Sequence, residues 1–83
     1  MYRIIIERRA ARDIESLPDE IIQRITDMIG SLKLNPRPHS VKKLLGDEGW
    51  RIRIRDCRIL YTIDDEQKLV SIYRVKHRRE VYR

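Results

Sequence analysis

The chain has 83 residues and a mass of 10.1 kDa; it is 41% hydrophobic and 39% charged, with a net charge of +6 and a pI near 9.9. That length admits one compact domain over residues 1–83, and the regular apolar patterning excludes a disordered tail. A single cysteine excludes an internal disulfide, and one Cys with two His falls short of the four usual ligands of a structural zinc. Apolar runs are no longer than that of Ile4-Ile5-Ile6, too short for a membrane span or a signal-peptide core, so the expectation is a reduced, cytoplasmic domain with no membrane association.

Residues 2–6 are β-branched and apolar and read as a buried strand. Over residues 7–16 the helical spacing of Ala10, Ala11, Ile14 and Leu17 predicts a short helix, which Pro18 interrupts because the residue before a proline disfavours helical geometry. Asp19 and Glu20 then place acid in the first turn of a second helix, where the helix dipole favours it. Ile21, Ile22, Ile25, Met28, Ile29 and Leu32 form one apolar stripe along that helix, and Asn35-Pro36-Arg37-Pro38 stops it.

In the second half the apolar period changes from helical to two. Residues 50–55 alternate strictly, residues 58–63 are β-branched and aromatic, residues 64–67 make a polar turn, and residues 69–75 give a third strand. Residues 76–83 read as a loop or one helical turn. The expected fold is α+β in the order β-α-α-β-β-β, a small antiparallel sheet with an N-terminal helical hairpin on one face.

The charge is unevenly placed: residues 1–41 carry a net +1, residues 42–83 a net +5, and 14 of the 19 basic residues are arginine. Arginine presents a rigid fork of donors that fits phosphate and stays charged when partly buried. In a strand, Ile52 and Ile54 point one way and Arg51, Arg53 and Arg55 the other. With Asp56-Cys57 as a two-residue turn, Arg55 faces Arg58, Ile54 faces Ile59 and Ile52 faces Tyr61, so four arginines share the open face. A surface needing only solubility would intersperse glutamate; like charges on neighbouring strands repel, so the pattern favours a polyanion site. Leu60 and Tyr73 fall on or beside this face, Tyr73 suiting either base stacking or core packing. Lys42 and Lys43 suit either phosphate binding or solvation, Trp50 reads as packing at the core edge, and Cys57 as an exposed turn thiol without a function.

Val41-Lys42-Lys43-Leu44-Leu45-Gly46, then Trp50-Arg51-Ile52-Arg53-Ile54, then Cys57 before Arg58-Ile59-Leu60-Tyr61, and the ending His77-Arg78-Arg79-Glu80-Val81-Tyr82 resemble, in order and spacing, the RelE toxins of the RelE/ParE superfamily. The resemblance covers the whole chain. It implies the toxin half of a type II toxin–antitoxin pair: an endoribonuclease that enters the ribosomal A site and cuts mRNA there without a metal or other cofactor. It also implies a cognate antitoxin, expected from the basic face to present an acidic or amphipathic segment, with the ribosome and mRNA as further partners.

By position within the family pattern, Arg51, Arg53 and Arg58 match basic catalytic residues, Arg78 matches the C-terminal basic residue, and Tyr82 the C-terminal tyrosine. Several RelE enzymes carry lysines where this chain has Arg51 and Arg53; arginine holds charge but does not exchange a proton at neutral pH. Proton transfer therefore falls to His77, Tyr82 or Lys76, or to the ribosome, with His77 favoured by its ordinary pKa near neutrality. Lys42, Lys43, Arg55 and Lys76 are the expected RNA-binding residues. A ParE-like inhibitor of DNA gyrase, or a nucleic-acid-binding module without activity, are the alternatives on the same fold.

Overall fold

The computed structural model describes residues 1–43 and 49–77. Strand β1 (Arg3–Ile6) leads into helix α1 (Arg8–Glu15) and helix α2 (Asp19–Ser31), followed by strands β2 (Lys42–Lys43), β3 (Trp50–Ile54), β4 (Cys57–Asp64) and β5 (Leu69–His77). The five strands form one sheet in the order β1-β5-β4-β3-β2.

Helix α2 begins where the sequence places it, with extended Pro18 as N-cap and Asp19 and Glu20 in its first turn, facing the unsatisfied N–H groups. Its stripe delivers Ile25, Ile29 and the adjoining Leu32 into the core, where they meet Ala10 of α1 and Ile52, Cys57, Ile59, Tyr61, Val70, Ile72 and Val75 of the sheet. The helices thus cover one face of the sheet, and the period-two pattern of β3 and β4 leaves the other face open.

Three features depart from expectation. First, the sheet is mixed: β1 runs parallel to β5, pairing Arg3–Ile6 with Leu69, Val70, Ser71 and Ile72, while the other pairings are antiparallel. As an edge strand with one neighbour it is not buried; Ile5 and Ile6 remain 47% and 43% exposed. Second, two-residue β2 extends the opposite edge, too short for any alternation to announce it. Third, the β3–β4 turn is Arg55-Asp56, not Asp56-Cys57: Ile54 pairs with Cys57, Arg53 with Arg58, Ile52 with Ile59, Arg51 with Leu60 and Trp50 with Tyr61. Arg55 takes a positive φ of 51°, the left-handed geometry a tight hairpin requires. Cys57 is consequently the first strand residue and is buried, not an exposed turn thiol.

A bulge on β5 adjusts the sheet beside α1. Leu60 pairs with Arg74 and Tyr61 with Ile72, so Tyr73 is the extra residue. β1 stops at this level: the Glu7 N–H donates to the Ile72 carbonyl (2.9 Å) and the chain turns into α1. Asp13 of α1 then supplies the acceptor that the missing strand would have offered. Its carboxylate takes the Val75 N–H at 2.9 Å and binds Arg74 through Nε at 2.7 Å and Nη2 at 3.3 Å. Lys76 and His77 belong to β5, not to a terminal loop, and residues 78–83 lie outside the described residues.

Candidate nucleic-acid interface

Strand register assembles the open-face cations in two rows. Arg53 of β3, Arg58 of β4 and Lys76 of β5 are successive cross-strand partners, and beside them run Lys42 of β2, Arg51 of β3, Leu60 of β4 and Arg74 of β5. Arg74 is committed to Asp13. The other ion pairs of the described residues engage Arg37 and Arg55, and none engages Lys42, Arg51, Arg53, Arg58 or Lys76. Arg53 Nε donates to the Arg55 carbonyl at 3.3 Å, which holds that guanidinium at the hairpin end of the face. Ser40, Lys42, Arg51, Arg53 and Arg58 line a cleft of about 100 Å³.

This arrangement is costly for a folded protein left alone. Like charges directly opposite one another destabilise a sheet, and Arg53–Arg58 and Arg58–Lys76 are two such pairs. Among the described residues no carboxylate offsets them. A bound polyanion would, because guanidinium–phosphate hydrogen bonds are charge-assisted and bidentate.

The expected site residues divide between the two faces. Arg51, Arg53, Arg58, Lys42 and Lys76 share the open face. Arg55 does not: it occupies the turn and ion-pairs with Glu20 at the start of α2 (3.2 Å). Lys43 pairs with Trp50, and its ammonium lies 5.7 Å from the indole centroid. His77 pairs with Cys57, which pairs with Ile54, so alternation sets it in the helix-side row with buried Cys57 and Val75. Arg78 and Tyr82 lie outside the described residues. Ser40, which no residue pattern had singled out, joins the cleft through the proline-rich loop.

That loop is held at three points. Pro36 is buried and its carbonyl accepts the Tyr61 hydroxyl at 2.8 Å; burial pushes the Tyr61 phenol up to about 12. Arg37 forms a two-pronged pair with Asp65 (3.1 and 2.8 Å) while its guanidinium carbon lies 5.2 Å from the Trp50 centroid. The Val41 N–H donates to the Pro38 carbonyl at 3.0 Å. Tyr2 adds a hydroxyl to Asp65 at 2.6 Å. Hydrogen bonds from Arg37 and then Tyr2 lower the Asp65 carboxyl to about 2, while the same carboxylate raises the Tyr2 phenol.

Two helices on a five-strand mixed sheet with a cationic open face describe the architecture, and comparison with known proteins defines the class. A family model described as "ParE toxin of type II toxin-antitoxin system, parDE" matches residues 4–82. The chain is 34% identical over 85 residues to "Toxin RelE" of Mycobacterium tuberculosis, covering 99% of this chain and 87% of that one. It also resembles a chain of the RelBE2 toxin–antitoxin complex of M. tuberculosis (TM-score 0.82, 32% identity, 93% of this chain and 98% of that one). A chain of the archaeal RelE–RelB complex of Pyrococcus horikoshii is similar too (TM-score 0.84, 28% identity, covering 93% and 94%). The chain belongs to the RelE/ParE superfamily of type II toxin–antitoxin toxins, and within it is RelE-like.

Proposed function

We propose that this toxin is a ribosome-dependent endoribonuclease that cuts mRNA and so inhibits translation in the cytoplasm. The observation that carries the reading is the row of Arg53, Arg58 and Lys76, without ion pairs among the described residues, on the uncovered sheet face, with Arg51 and Lys42 beside it and a cleft lined by Lys42, Arg51, Arg53 and Arg58.

In RNA self-cleavage a ribose 2′-oxygen bonds to the adjacent phosphorus and the P–O5′ bond breaks. The 2′-hydroxyl loses its proton, the leaving 5′-oxygen gains one, and negative charge grows on the phosphoryl oxygens in between. Arg51, Arg53 and Arg58 supply preplaced positive charge for that growth, a role that needs no proton exchange. Proton transfer requires a titratable group on the same face. Lys76 meets that condition as the neighbour of Arg58, whereas His77 lies on the helix side. Lys76 is therefore assigned to protonate the 5′-oxygen, with Lys42 gripping a flanking phosphate. Tyr82 and Arg78 keep the roles the family pattern implies: Tyr82 orients the nucleophile or stacks a base, and Arg78 adds charge at the phosphate.

The partner is inferred from relatives whose solved structures include toxin–antitoxin complexes, RelBE2 and RelE–RelB among them. An antitoxin whose acidic or amphipathic segment offsets the unpaired cations would hold this chain inactive. A gyrase-directed reading is favoured by one observation, the ParE description of the matching family. One experiment separates the two. In a translation extract, the purified toxin is expected to produce new mRNA 5′-hydroxyl ends, mapped by primer extension, with cyclic phosphate on the upstream fragments, and to leave gyrase supercoiling unaffected. Intact mRNA with blocked supercoiling would replace the ribonuclease by the gyrase inhibitor.

A further inference from the structure

Among the described residues, the cleft that would bind RNA contains a single side chain able to accept a hydrogen bond. Lys42, Arg51, Arg53 and Arg58 are donors only at neutral pH, and phosphates of RNA and DNA satisfy them equally. Ser40 is the exception. Its hydroxyl both donates and accepts, it is exposed, and it makes no hydrogen bond among the described residues. Its loop is held by Tyr61 on Pro36, Asp65 on Arg37 and the Pro38 carbonyl on Val41, so that Ser40 lines the cleft without a loop that must first be ordered. The group that distinguishes ribose from deoxyribose is the 2′-hydroxyl, which four donors cannot accept from.

We propose that Ser40 is the residue by which this cleft selects RNA over DNA, its Oγ accepting a hydrogen bond from a ribose 2′-hydroxyl of the bound strand. The inference rests on the ribonuclease reading of the same cleft, and its test is made on binding rather than cleavage so that the two fail separately. Three oligonucleotides of one sequence, with ribose, 2′-fluororibose or deoxyribose, are titrated at fixed low salt into the wild-type toxin and into Ser40→Ala and Ser40→Thr. The 2′-fluoro strand keeps a substituent at the same position but has no proton to donate.

The wild type is expected to bind ribose about fivefold more tightly than either of the other two, the size of one neutral hydrogen bond. Ser40→Ala should remove that preference while leaving deoxyribose affinity unchanged, and Ser40→Thr should retain it. If Ser40→Ala keeps the preference, or weakens all three strands alike, Ser40 is not the selecting group, and the ribonuclease reading stands. If the wild type binds the strands equally, the inference falls and cleavage still decides the activity. If it binds none of them, the inference falls, and cleavage on the ribosome still decides the activity. Ser40 is exposed and outside the core, so thermal unfolding of Ser40→Ala matching the wild type confirms that folding is not the variable.

Discussion

Asp65 carries the clearest acid-side consequence of this structure. Its carboxyl is held near 2 by Arg37 and Tyr2, well below its unfolded value of about 4, so the folded state favours its ionised form. The stabilisation is therefore complete above the unfolded pKa and disappears as pH falls through about 2. Asp65→Asn should flatten the loss of stability between about pH 4 and pH 2, measured as urea midpoints across that range; an unchanged acid limb would show that the Arg37–Asp65–Tyr2 cluster does not hold the loop. At the other extreme, Tyr61 is raised to about 12 and favours its neutral form when folded, so its contribution is present below pH 10 and lost as pH rises through about 12. Tyr61→Phe removes a buried donor and strands the Pro36 carbonyl, an expected loss of about 1–2 kcal/mol by denaturant unfolding. None of these pairings was legible in the sequence. Tyr2 and Asp65 are 63 residues apart, and Arg37 and Asp65 are 28 apart; only the fold brings them together.

The β3–β4 hairpin shows how much alternation can decide. It fixes which side chains share a face, so Arg51, Arg53 and Arg58 were assignable to the open side from sequence alone. It does not fix which two residues turn. Moving the turn from Asp56-Cys57 to Arg55-Asp56 shifts each partner by two positions and leaves every face unchanged, so the apolar pattern is satisfied either way. The structure resolves the choice by burying Cys57 and turning at Arg55. A consequence is testable. Glycine relieves the left-handed backbone at Arg55, against a smaller entropic cost, and the Glu20 pair lost with the arginine is exposed and worth little. Arg55→Gly should hold or raise stability by up to about 1 kcal/mol while mRNA cleavage persists. Lost cleavage in a folded Arg55→Gly toxin would return Arg55 to the RNA surface. On β5 the alternation misleads instead: the bulge at Tyr73 moves Arg74, Val75 and all that follows by one step relative to a regular strand.

At the scale of the molecule, stability and function compete for the same sheet. The helix-side core is small, and a domain of this size has a thin margin, so Ile25→Ala should cost about 2–5 kcal/mol and shift the thermal midpoint by many degrees. The other face holds unpaired cations that the core must stabilise, a trade typical of sites built for a ligand the free protein lacks. The order of the elements other than β2, and the helix-covered face, were readable because apolar periodicity reports burial directly. The parallel pairing of β1 was not, because a strand of four residues shows its partner only through the chain that returns to it. The central claim is that the open-face cations perform the chemistry, and single-turnover cleavage of mRNA on programmed ribosomes by the wild type and Arg58→Ala tests it most directly. Arg58→Ala should fold at least as stably, relieved of its opposed charges, yet cleave about 100-fold or more slowly. A folded Arg58→Ala toxin that cleaves at the wild-type rate would contradict the account.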